Sequence, residues 1–536
     1  MAIAPWEEKA KSARDLRDAS LSKVDPPLAP LPDPLPLSSQ ELPKQFLTPR
    51  EYELTQNYDA LALLELLKTK KVSSEELTRA FLRRAALAQY AVNCVTELMW
   101  DEAIERAKYL DSLPEPAGPL HGLPISVKEH HGMKGKTAHA SYVQWIGQKS
   151  DDNPLNDALW NAGCVYYVRT TGPQTLMHLE TNNNIYGRTV NPWNRNLTPG
   201  GSSGGEGALV GFRGSVLGLG GDIGGSVRCP ASNSGVYGFK PTTKRIPLKG
   251  MKSAMKGKET VLATFGPLCQ SRETINLFMK TVLDTEPWRY DPSLFPKPWT
   301  PFTLEKPLKV AIQWSDGVVK PHPPMIRAMK EVAEVCKAAG MTVVDWESLD
   351  HAKGWDIVSR LYFPDGGKDT LRPLLESGEP ILPLTNFIIK EQKGVKELTM
   401  HELWALCAER EAYRADYAAH WSATASSGQE VDVIICPAVP GAGPPHDSAR
   451  YWGYTAQWNL LDYPGAIFPV TFVDPEKDKK EEAYTPMNAD DKFNYDLYTP
   501  ERYVGAPISL QIVGRRNTDE KVMAALKEIE KAMGRE

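Results

Sequence analysis

The chain is poor in cysteine, with seven in 536 residues. They stand at Cys94, Cys164, Cys229, Cys269, Cys336, Cys407 and Cys436, an odd and scattered set without a C-x-x-C pair. That excludes a disulfide scaffold and suits a reducing compartment. It also lacks an excess of either charge: 62 Lys plus Arg against 67 Asp plus Glu leave a net −5, so no basic field favours nucleic acid or an anionic membrane. No apolar run approaches the ~18 residues that cross a bilayer. Met1 to Ala10, MAIAPWEEKA, carries two acidic residues where a signal peptide would be basic. These absences predict a soluble, cytoplasmic protein with neither a membrane nor a nucleic-acid partner. A small neutral molecule is the expected partner, and a homodimer is left open.

What is present is an ordinary globular balance, 41% hydrophobic and 24% charged. Trp6 to Ser22 has helical spacing, but the proline-dense run Val24 to Leu37 cannot continue a helix. Residues 1–50 therefore read as an N-terminal arm and 51–536 as the main domain. Asp59 to Lys68 predicts a helix, and Ser73 with Glu76 three residues later opens another, with Leu77, Phe81 and Ala85 facing inward. Short apolar runs at Ile125–Val127, Val165–Val168, Val310–Ile312, Met341–Val344 and Val431–Ile435 alternate with helical stretches such as Met325–Ala339. That alternation predicts an α/β sheet covered by helices. Asp474 to Lys492, with its charge run Glu476 to Glu482, reads as a solvated loop.

Between Gly200 and Gly238 the sequence becomes GGSSGGEGALVGFRGSVLGLGGDIGGSVRCPASNSGVYG. Glycine loses more backbone freedom on ordering than any other residue, so this density points to backbone lying close to a ligand. Three readings compete. Phosphate cradling fails on required positions: Gly135-Lys136-Thr137 has His130 where a P-loop needs glycine, and Gly218-x-Gly220 is followed by Ile223 where a dinucleotide fingerprint needs the third. A nucleophile elbow is matched by Gly200-Gly201-Ser202-Ser203-Gly204. Turn chemistry, Asn191 to Pro199, precedes it instead of the strand it requires, and Asp432 and His446 are its only suggested partners. The third reading joins Lys128, the pair Ser202-Ser203, and Ser226. A serine needs a neighbouring base to attack at neutral pH. No histidine lies between Gly200 and Ala231. A lysine buried away from carboxylates is the alternative.

Gly200 to Ala231, with GGSSGGEG, Asp222, Gly224, Ser226, Arg228 and Pro230 in register, resembles the amidase-signature family. So do PLHGLPISVKE (Pro119–Glu129), GPQTLM (Gly172–Met177), GRTVNPW (Gly187–Trp193) and GAPISLQIVGRR (Gly505–Arg516), in a manner similar to fungal acetamidases and general amidases. The resemblance runs from about Tyr58 to the C-terminal helix. It implies a large, mixed, twisted β-sheet covered by helices on both faces, with a catalytic core at about 119–246. It implies amide hydrolysis to carboxylate and ammonia or amine, without cofactor or metal, through an acyl-enzyme. Ser226 takes the place of the nucleophile, Ser202 of the bridging serine after a cis peptide, and Lys128 of the base. Ile223, Gly224, Gly225 and Ser226 supply the oxyanion amides. Ser203, Asp222 and Arg228 have supporting roles, and Leu176 and Met177 line the acyl pocket. His130 and His131, which follow Glu129, depart from the acetamidase pattern. Adjacent side chains in an extended segment diverge, so a metal site there is not expected. The runner-up activity is a specialised amide hydrolase or acyltransferase on a larger, aromatic metabolite. A non-catalytic ligand-binding protein is the alternative of a different class.

Overall fold

Most of the short apolar runs alternate with helices in sequence, and those helices cover the sheet that the runs form. The computed structural model describes residues 4–535; of the expected arm, Met1–Ile3 lie outside the described residues. The strands are β1 Val95–Leu98, β2 Pro124–Lys128, β3 Val165–Thr170, the small pair β4 Asn182–Asn183 and β5 Gly187–Arg188, β6 Leu217–Asp222, β7 Tyr237–Lys240, β8 Thr264–Cys269, β9 Lys309–Ile312, β10 Thr342–Asp345, β11 Val433–Pro437, β12 Gly465–Phe472 and β13 Pro507–Val513. All but β4 and β5 join one mixed 11-stranded sheet in the order β1-β3-β2-β6-β8-β7-β12-β13-β11-β9-β10. β2 runs parallel to both β3 and β6, and β9 runs parallel to both β10 and β11. The remaining pairings are antiparallel. Parallel neighbours end on the same side, so the C-terminal ends of β2 and β6 form one rim, where open α/β sheets bind ligands.

Local signals explain the helix boundaries. The arm helix occupies Pro5–Leu21, and its Ala10 and Ala13 pack with Val143, Ile185 and Tyr186. Asp59 caps Ala60–Lys68, and Ser73 Oγ accepts the Glu76 N–H at 3.0 Å to open Ser74–Val92. Leu77, Phe81 and Ala85 are fully buried on that helix. The segment expected as a solvated loop is more anchored than its charge suggests. Asn488 caps a helix over Ala489–Leu497, and Asp478 is buried in an ion pair with Arg327 at 2.7 Å. No described helix is long and apolar enough to cross a membrane.

Candidate active site

Lys128 is the last residue of β2, Asp222 the last of β6, and Ser226 lies in the turn between β6 and the helix Arg228–Ser234. Ser202 and Ser203 stand immediately before the helix Gly204–Gly211. The Gly201–Ser202 peptide is cis. Lys128 Nζ lies 2.7 Å from Ser202 Oγ and 3.3 Å from Ser203 Oγ. The Ser203 hydroxyl also donates to the Gly221 carbonyl at 3.4 Å, and its amide donates to the Ser226 carbonyl at 3.0 Å. Ser203 thus ties the lysine strand to the Ser226 turn.

Ser202 and Ser226 line one cavity of about 70 Å³, with His130, Leu176, Met177, Ile223 and Met255 among its walls. The Ser226 hydroxyl makes no hydrogen bond among the described residues, so it is open to a ligand. Burial pushes the Lys128 amine down to about 7, against the opposing pull of Glu206, Asp222 and Glu129. Glu206 sits beneath it, bound to the hydroxyls of Ser126 at 2.5 Å and Thr170 at 2.7 Å. Burial raises that carboxyl to about 7, so its negative charge is only partly expressed near the lysine.

The turn from Asp222 to Arg228 is held from both ends. Arg228 and Asp222 form a fully buried pair at 3.0 Å. Burial alone would raise the Asp222 carboxyl, but Arg228, with Asn459, holds it well below the carboxylate range. Asp222 also accepts the amides of Gly225 at 2.9 Å and Val227 at 3.2 Å. This corrects the expected set of four oxyanion amides. The Gly225 N–H is committed to Asp222, because its peptide is fixed at the other end by Thr455, whose hydroxyl donates to the Gly224 carbonyl at 2.7 Å. The amides of Ile223, Gly224 and Ser226 reach no protein acceptor among the described residues. Gly225 takes φ +124°, and a Cβ there would lie 2.3 Å from Thr455 Oγ1, so the position admits glycine alone.

His130 and His131 are not in an extended segment but in one 3-10 turn, Glu129–His131. Their rings meet edge-on at 5.0 Å. His131 stacks on Phe265 at 3.7 Å, while His130 walls the cavity. Glu129 accepts the amides of His139 and Ala140 and so braces the chain after the lysine. The elbow partners are elsewhere: Asp432 accepts the Lys309 amide, and His446 contacts the Arg195 carbonyl. Among the described residues no strand leads into Ser202. Sequence reasoning missed Tyr362, Trp452, Thr455 and the wall loop Met251–Met255, which lie 25 to more than 220 residues beyond Ser226 and carry no local motif.

Residues 76–523 match the family described as Amidase. The chain belongs to the amidase family. This amidase is 39% identical over 546 aligned residues to an acetamidase of Emericella nidulans, covering 99% of this chain and 98% of that one. It is 37% identical to an acetamidase of Aspergillus oryzae along the whole of both chains. A solved fatty acid amide hydrolase superposes with a TM-score of 0.93 at 35% identity, covering 99% of this amidase and 95% of that structure. The amidase is therefore a hydrolase acting on amide C–N bonds, with the amidase-signature α/β fold.

Proposed function

We propose that this amidase hydrolyses small carboxylic amides through an acyl-enzyme on Ser226, with Ser202 and Lys128 moving the proton. The observation that carries the reading is the 2.7 Å approach of Lys128 Nζ to the hydroxyl of Ser202, which lines the same cavity as Ser226. A lysine pushed down to about 7 is half neutral at pH 7 and can accept a proton. Ser226 Oγ bonds to the amide carbon as its proton passes to Ser202 Oγ, whose own proton passes to Lys128 Nζ. The carbonyl π pair moves onto oxygen, facing the free amides of Ile223, Gly224 and Ser226. Collapse of this adduct breaks the C–N bond while the proton returns through Ser202 to the departing nitrogen. Water then attacks the ester by the same relay, giving carboxylate and restoring Ser226.

Substrate size follows from the cavity. The cavity beside Ser226 is small, about 70 Å³. Leu176, Met177 and Met255 make its walls apolar. This suits a short acyl group rather than a bulky aromatic one. The test is steady-state hydrolysis of acetamide, propionamide and an anilide by wild type, Ser226→Ala and Lys128→Ala. Loss of turnover in both variants, with the short amides preferred by wild type, supports the reading. Retained turnover in folded Ser226→Ala overturns the mechanism. Preference for the anilide overturns the size assignment, and no turnover of any amide by wild type favours a ligand-binding protein.

A further inference from the structure

The carbonyls along the Ser226 turn are each held by a different partner, and those partners decide where the amides point. A trans peptide directs its C=O and N–H oppositely. The Gly225 carbonyl accepts the Cys229 amide at 2.7 Å, which turns the Ser226 N–H the other way. Thr455 and Asp222 hold both ends of the Gly224–Gly225 peptide. The Ile223–Gly224 peptide has one anchor: the Tyr362 hydroxyl donates to the Ile223 carbonyl at 2.8 Å. Its other end, the Gly224 N–H, is free.

We propose that Tyr362 is a positioning residue, aiming the Gly224 N–H at the developing oxyanion by holding the Ile223 carbonyl from behind. The inference rests on Ser226 being the nucleophile. Tyr362 ends the helix His351–Tyr362, is fully buried, and packs its ring at 6.0 Å from Trp452. Both side chains press on Gly224, where a Cβ would meet Tyr362 Oη at 2.8 Å and Trp452 at 2.9 Å. Burial raises the phenol far above its ordinary range, so it remains a donor at every working pH. Tyr362 is itself held from just beyond the wall loop. Lys258 Nζ donates to its backbone carbonyl at 3.0 Å, one of the carbonyls that a helix end leaves without an intrahelical partner. The same Nζ lies 3.4 Å from the sulfur of Met255, which walls the cavity. The loop against the acyl group and the turn beneath the oxyanion therefore meet at one tyrosine.

Tyr362→Phe keeps the ring and removes the bond. The full-length variant should lose about ten- to a hundredfold in kcat on acetamide, somewhat less than deleting an oxyanion donor outright, with KM within twofold. A trifluoromethyl ketone, whose serine adduct carries the oxyanion, should weaken by the same factor as kcat/KM. A merely structural role would move KM or leave the ketone unaffected. Should Tyr362→Phe not fold, Lys258→Met loosens the same tyrosine and should show the same pattern at about three- to tenfold. Unchanged kcat, an equal change in KM, or unaltered ketone binding overturns the proposal while Ser226→Ala remains inactive. An active, folded Ser226→Ala overturns the nucleophile itself, whatever Tyr362→Phe does.

Discussion

Replacing Lys128 by methionine should stabilise the folded protein at neutral and acidic pH while abolishing turnover. Lys128 is 1% exposed, and burial pushes its amine from 10.5 to about 7. At ~1.36 kcal/mol per unit, that difference corresponds to about 5 kcal/mol of unfavourable charge burial below pH 7, where lysine is protonated in both states. Between pH 7 and about 10 the unfolded chain still holds the proton that the folded chain has lost, so wild-type stability rises with pH. Above the unfolded pKa the penalty is gone. Lys128→Met removes it at every pH, but leaves the hydroxyls of Ser202 and Ser203 short of a partner at ~1 kcal/mol each. The net gain should be about 3 kcal/mol at pH 6 and should vanish or reverse near pH 10. Urea unfolding of both proteins at pH 6, 7, 8, 9 and 10 measures it. A difference that does not change with pH would refute a neutralised buried lysine. In the same window, wild-type kcat/KM should rise through one ionisation near pH 7 and level off above pH 8.

Gly225→Ala should lower kcat by about a hundredfold or more, because the new Cβ collides with Thr455 and frees the Gly224 carbonyl; a folded variant with near-normal kcat on acetamide would contradict this. Met177→Ala should shift preference towards longer acyl chains by roughly ten- to a hundredfold in relative kcat/KM, the worth of one or a few methylenes. An unchanged ranking across acetamide, butyramide and hexanamide would make Met177 a core residue only. Asp222→Asn removes the charge facing buried Arg228 and should destabilise by about 3–5 kcal/mol, measured by urea unfolding. A loss under 1 kcal/mol would mean that the pair does not hold the turn.

The parts of the site that a sequence can disclose are those adjacent in the chain. Lys128 follows a short apolar run, and Ser202, Asp222, Ser226 and Arg228 fall within one glycine-rich run, so residue type marked a serine in need of a buried base, while the resemblance to the amidase-signature family supplied the separate roles. Five strands of the sheet, β2, β3, β9, β10 and β11, were legible because short apolar runs alternate with helical spacing, each with at least one boundary moved by a residue or two; β1, β6, β7, β8, β12 and β13 were not among the expected runs. Which amide remains free was not legible. Gly225 and Gly224 look alike in sequence, and only the carboxylate of Asp222 and the hydroxyls of Thr455 and Tyr362 separate them. Those hydroxyls come from helices far along the chain, placed by the packing of the sheet. The histidines misled for a related reason: a 3-10 turn after β2 puts their rings edge-on, where an extended strand would part them.

The most direct test of the central claim is intact mass after incubation with a fluorophosphonate, followed by peptide mapping. One adduct per chain is expected, on Ser226, formed more slowly in Ser202→Ala and absent in Ser226→Ala. An adduct that persists in Ser226→Ala and disappears only in Ser202→Ala would contradict the claim and place the nucleophile on the cis serine.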